Sequence, residues 1–128
     1  MAQAHSALLR TVPEKDYLHF FEKGIPDGNK VVDFLKYKKT DVATATNIPI
    51  DSIRYDQKIP TELQDRLTEW AIAINLIACF FKDEEKTILW FVTPNPLLGG
   101  MTPRDMIRVG RFKKLLNFIQ VALSENER

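Results

Sequence analysis

The chain has 128 residues, 45% of them hydrophobic, with a net charge of +1, enough to bury one core as a single compact unit or two intimately packed halves. Near-neutrality excludes a strong nonspecific pull toward nucleic acid or membrane, and one cysteine excludes an internal disulfide and fits a reducing cytoplasm. The longest apolar run, Trp70 to Phe81, is broken by Asn75 and too short to span a bilayer, and Ala7-Leu8-Leu9 falls far short of a signal-peptide core, so a soluble cytoplasmic protein without membrane contact is expected.

Every periodic segment reads as helical and none alternates like a strand, so the expected class is all-α. Residues before about Pro13 read as a mobile tail. Tyr17-Leu18 and Phe20-Phe21 begin an aromatic-rich helix or turn ended by Gly24 and Pro26. Asn29 can cap a helix with Val31, Val32, Phe34 and Leu35 inside and Lys30, Lys36, Lys38 and Lys39 outside. Two short helices follow, Asp41 to Thr46 and Asp51 to about Tyr55, joined by the turn Asn47-Ile48-Pro49. Thr61 after Pro60 then starts a central helix, with Gln64 completing a capping box. Its stripe is Leu63, Leu67, Trp70, Ile74, Ile77 and Phe81; beyond Trp70 the alanines 71, 73 and 78 and Leu76 make the other faces apolar too. Such a helix is buried on several sides and joins the two halves. Trp70 and Trp90 are expected in the core. Asp83-Glu84-Glu85 suits the positive end of the next helix.

The segment Thr93 to Pro103 carries most of the functional information. Pro94 and Pro96 fix their own φ and push Thr93 and Asn95 toward extended geometry, while Gly99 and Gly100 allow a sharp reversal at positive φ. Thr102 is placed as an N-cap, Pro103 as the first helical residue and Asp105 as the third. A preorganised corner is therefore expected to present Leu97 and Leu98 at a helix start. The last helix, Phe112 to Leu123, is amphipathic, with Phe112, Leu115, Leu116, Ile119 and Leu123 on one side. From Met101 to Leu116, Arg104, Arg108, Arg111, Lys113 and Lys114 stand against Asp105 alone, about +4. This is either a solvated helical surface or a basic face for an acidic partner. Ser124 to Arg128 reads as a polar, mobile end.

Trp90-Phe91, Thr93 to Pro96, the apolar pair Leu97-Leu98, Gly99-Gly100 and Thr102-Pro103 together resemble the toxin-binding domain of the Xre/MbcA/ParS antitoxin family. The resemblance runs from Phe81 to Leu123. Leu97 departs from the alanine frequent there, and Val109-Gly110 replaces a threonine-containing step into the last helix. The pair of short helices likewise resembles an Xre-type helix-turn-helix: Ala43 is small enough for a close crossing, Asn47 takes the place usually held by glycine, and Ile48 and Ile53 are the anchors. Its charge is thin. From Asn29 to Lys58, six basic residues oppose Asp33, Asp41, Asp51 and Asp56, about +2. Either Ser52, Arg54, Tyr55 and Lys58 contact DNA, or the pair is a folding and dimerisation element that has lost DNA affinity.

An enzyme is not expected. His5 and His19 have no Cys, Asp or Glu around them at metal-ligand spacing, Cys79 sits among Ile77, Ala78, Phe80 and Phe81 where a thiol is inert, and Gly99-Gly100 lacks the lysine and preceding strand of a phosphate loop. No cofactor or metal is expected. The resemblance implies residues 1–69 as a tail and Xre-like helix-turn-helix bundle packed on a small helical toxin-binding domain, residues 70–128. It implies an antitoxin of a type II toxin-antitoxin system that occludes the active site of a cognate RES-domain toxin, an enzyme that consumes NAD or transfers ADP-ribose from it. The toxin contacts would be Pro94, Asn95, Pro96, Leu97, Leu98, Gly99, Gly100, Thr102, Arg104, Arg108 and Arg111. A homodimer formed by the N-terminal half is implied, with operator DNA as an optional second partner. The alternative is a stand-alone Xre-type regulator whose C-terminal domain oligomerises.

Overall fold

The computed structural model describes residues 15–126; the tail expected before Pro13, His5, and Glu127-Arg128 lie outside them. A two-stranded antiparallel hairpin, β1 Phe21–Glu22 and β2 Ile25–Pro26, leads into α1 Gly28–Phe34, α2 Lys39–Thr46, a 3-10 turn Ile50–Ser52 and the long α3 Thr61–Phe81. Then come α4 Glu84–Val92, a second 3-10 turn Pro96–Leu98, α5 Pro103–Arg108 and α6 Phe112–Asn126. The protein is mainly α-helical.

Three local expectations are corrected. The aromatic segment before Pro26 forms a hairpin, because Lys23 and Gly24 both take positive φ (53° and 79°), the backbone that a tight two-residue turn demands. Helix α1 is capped by Asp27, whose carboxylate accepts from Lys30 N at 3.2 Å, and not by Asn29. The Thr61–Gln64 capping box does not form, since Thr61 is already the first helical residue and Pro60 stands at the cap with no side-chain acceptor to offer. Asp83 caps α4 as its sequence suggests, accepting from Lys86 N at 3.0 Å, and Ser124 to Asn126 continue α6.

Helix α3 packs against β2, α1, α4 and α6, while α2 lies on α5. Leu63, Leu67, Trp70, Ala71, Ala73, Ile74, Ile77 and Ala78 are all buried in one cluster that also takes in Val31, Leu35, Phe91, Met106, Leu115 and Ile119. The division at residues 69 and 70 falls inside this continuous helix. Aromatic rings pack edge to face: Phe20 meets Phe34 at 5.9 Å between centroids within the N-terminal half, and Phe34–Phe91 at 6.2 Å and Tyr37–Trp70 at 5.7 Å bridge the halves.

Asn75, the polar break in the apolar run, is fully buried and satisfied. Its Oδ1 accepts from Leu18 N at 3.0 Å and its Nδ2 donates to Asp16 Oδ1 at 2.8 Å; the same carboxylate accepts from Phe20 N and Phe21 N. An unpaired buried amide would be destabilising, so this pairing fixes where the hairpin docks. Gly28 has a packing reason as well: a Cβ there would stand 2.7 Å from Tyr55 Cδ1 and 3.0 Å from Leu67 Cδ1. Trp70 is 1% exposed, so Trp70→Ala is expected to lose about 3 to 5 kcal/mol. A thermal melt should fall by more than about 10 °C; a shift of a degree or two would show that α3 is not the shared core.

Candidate functional site

The corner after α4 closes on itself through its own polar atoms. Thr93 and Asn95 are extended, as the prolines behind them require, with φ of −103° and −118°. Asn95 Oδ1 accepts from Leu97 N at 2.9 Å, Asn95 O accepts from Leu98 N and Gly100 N, and Asn95 N donates to Met101 O at 3.0 Å. Gly99 and Gly100 carry φ of 70° and 86°, and a Cβ on either would meet nothing within 4 Å, so backbone conformation alone makes them glycine. Thr102 Oγ1 then caps α5 by accepting from Asp105 N at 2.9 Å, with Pro103 as first helical residue. The apex is Leu97, 78% exposed; Leu98 turns inward and packs on the core.

Beside the apex, α4 and the corner enclose a groove of about 460 Å³ lined by Phe81, Lys86, Leu89, Trp90, Thr93, Pro94, Asn95 and Pro96. Leu89 is 61% exposed, and Val92 is exposed one turn further on. Trp90 is half-buried: it packs on Phe91, at 5.0 Å between centroids, and also forms a groove wall. Pro94, Asn95 and Pro96 were among the contacts expected from sequence; Phe81, Lys86, Leu89, Trp90 and Val92 were not. A signal existed: in Thr87-Ile88-Leu89-Trp90-Phe91-Val92 every face is apolar, yet a surface helix buries one stripe, here Thr87 and Phe91.

The basic residues divide. Arg111 is exposed and its Nη1 reaches Met101 Sδ at 3.9 Å, so the start of α6 adjoins the corner. Arg108 pairs with Asp105 at 3.3 Å. Arg104 faces inward. Its guanidinium donates to Leu35 O and to Lys36 O (2.8 Å), stands 4.9 Å over the Tyr37 ring and lies 4.0 Å from Asp41. In return, the Tyr37 hydroxyl donates to Arg104 O at 2.6 Å. Burial holds that phenol well above its ordinary range, outweighing the nearby Arg104 charge, so it remains a donor. The expected contact Arg104 is thus an internal clasp, because α1 ends in carbonyls that need a donor.

The expected DNA contacts are scattered. The second helix of the pair is only the turn Ile50–Ser52, with Ile53 extended behind it, although Asn47 is left-handed and Ile48 and Ile53 are buried anchors as anticipated. Asp56 gathers the local donors: it accepts from Arg54 Nε at 2.7 Å and from Lys58 N at 3.0 Å, and the Arg54 bond holds its carboxyl below the usual range. Tyr55 is drawn inward beside Gly28 and against the core, its hydroxyl buried with no hydrogen-bond partner among the described residues. Ser52, Arg54 and Lys58 are exposed, but no helix aligns them.

Among the described residues no cluster of three or more His, Cys, Asp or Glu is placed to hold a metal ion, and no helix is long and apolar enough to cross a membrane. Cys79 Sγ donates to Lys15 O at 3.3 Å, and His19 offers its backbone carbonyl to Lys30 Nζ. No protein-family model matches the chain, and no curated protein matches it significantly.

Arg104→Ala removes a charged donor from two carbonyls and a cation from an aromatic face, a loss of about 2 to 4 kcal/mol. Arg104→Lys should recover only part of it, since an ammonium lacks the planar fork. Urea denaturation at unchanged slope measures both; full stability in the alanine variant would remove the clasp.

Proposed function

We propose that the protein is an antitoxin whose C-terminal half binds a RES-domain toxin through the Pro94–Thr102 corner and sterically covers that toxin's active site. One observation carries the reading: a large aliphatic side chain, Leu97, is held almost fully exposed at the apex of a corner braced by its own hydrogen bonds. Nothing inside the molecule is gained by that exposure. A rigid apolar apex next to further exposed aliphatics is what a partner surface uses, because little ordering entropy remains to be lost on binding. The partner class comes from the resemblance of Trp90 to Pro103 to the Xre/MbcA/ParS toxin-binding domain, and the toxin's consumption of NAD or transfer of ADP-ribose comes with it. Exposed Arg111, Lys113 and Lys114 support an acidic rim on the partner. The N-terminal half is assigned to homodimerisation.

The alternative, a stand-alone Xre-type regulator, needs a helix to enter the major groove. The short turn Ile50–Ser52 and the Arg54–Asp56 pairing weigh against it, so operon repression is placed second. Co-expression with the product of an adjacent gene tests the main reading: the two proteins should co-purify and an NAD-depleting toxicity should be silenced. A shift of the protein's own promoter, lost in Arg54→Ala, with no capture of a neighbour's product, would favour the regulator instead.

Gly99→Val and Gly100→Val should abolish neutralisation while the protein stays folded by circular dichroism. A β-branched residue at positive φ is strained by about 1 to 3 kcal/mol, and re-routing the corner relieves it. Because space around Gly99 is open, Gly99→Asn should retain activity, since asparagine tolerates this conformation. Growth rescue by both valine variants would move the binding surface to the basic helices after Pro103.

A further inference from the structure

We infer that the groove beside Leu97 is an anchor site for one large apolar side chain of a partner protein, and that Lys86 pairs with a carboxylate next to that side chain. This rests on reading the corner as a protein-binding surface and specifies what the surface accepts. The walls are Phe81, Leu89, Trp90, Pro94 and Pro96, around a space of about 460 Å³, within the range of specific ligand pockets.

The lining is mostly apolar, and several of its polar atoms are already committed. Thr93 Oγ1 donates to Leu89 O, Asn95 Oδ1 accepts from Leu97 N, and the Asn95 backbone is closed on Met101 and Gly100. An occupant meets mainly the rings and aliphatic carbons of Phe81, Leu89, Trp90, Pro94 and Pro96 there, and a polar group left unpaired against such a wall is penalised, so the occupant is apolar. Lys86 is the exception. It lies one turn before Trp90 on the groove side of α4, exposed, and no ion pair engages it among the described residues. A cation at the rim of an apolar groove complements a carboxylate, and exposed Arg111, next to Met101 at the corner, adds a second positive charge near it. Charge complementarity selects a protein segment with an acidic residue beside an aliphatic or aromatic one. A second copy docked through this same face would set Lys86 and Arg111 against their own like charges.

The test pans a phage-displayed random dodecapeptide library on the full chain. Selected peptides are then titrated against wild type, Lys86→Glu and Leu89→Asp. Both substituted side chains are exposed, and unchanged melting confirms intact folds. Selected peptides should carry Asp or Glu adjacent to a large apolar residue and lose at least about tenfold in affinity for each variant. In addition, Lys86→Glu should prefer the same peptide with Lys in place of its acid. Peptides lacking an acid, equal binding to the variants, or no selected peptide at all would overturn the proposal. So would self-association of the chain abolished by Leu89→Asp, which would give the groove to a second copy. Capture of a RES-domain partner by wild type and both variants alike would overturn the groove and leave the antitoxin reading standing; peptide selectivity without such capture would do the reverse.

Discussion

The guanidinium of Arg104 at the C-terminal end of α1 is the contact on which the arrangement of the two halves depends. Helix α1 is closed by Lys36 in the left-handed conformation (φ 57°), with Lys36 N donating to Asp33 O and Tyr37 N to Val32 O. That closure leaves the carbonyls of Leu35 and Lys36 at the negative end of the helix dipole without a backbone donor, and Arg104 supplies one from nearly seventy positions further along the chain. Asp41 at the start of α2 and Asp105 beside it complete the charge balance. Since Arg104 is the second residue of α5, immediately after the Thr102 cap, the same contact sets the height and direction of the corner.

Where polar groups go explains much of the remainder. Asn75 and Asp16 dock the hairpin onto α3, Asp83 and Thr102 begin helices, and Asn95 folds the corner around its own amide and carbonyl. Each of these short polar side chains satisfies backbone donors that burial or helix geometry would leave unpaired. The apolar residues give the halves their adhesion, and the polar ones give them a single orientation.

What could be read in advance follows the range of the interactions. The α3 stripe, the Asp83 and Thr102 caps and the proline-glycine corner depend on neighbours within a few residues, and local spacing reveals them. Arg104, Tyr55 and Asn75 were misjudged or passed over because their partners are tens of residues away: a carbonyl at the end of α1, a glycine in α1 and a loop before the hairpin. Charge counting treated Arg104 as surface, although its side chain is largely enclosed. The expected second helix after Pro49 failed for a related reason. Ile53 and Tyr55 both need to reach the core from a stretch that Pro60 cuts short, and a stretch so brief cannot repay helix nucleation when extended backbone buries the same side chains. The groove left only an indirect mark, the surplus of apolar residues over the one stripe that α4 buries, and that mark does not say which of them stay exposed.

The continuity of α3 through both halves bears on how long the corner persists in a cell. A helix shared by two lobes that also share one core couples their stability, so the corner's support is lost whenever the core opens. Opening the N-terminal elements enough for a protease to grip them would also strip the support from Leu97. Clearance of the chain and loss of the corner's shape are then coupled through global unfolding.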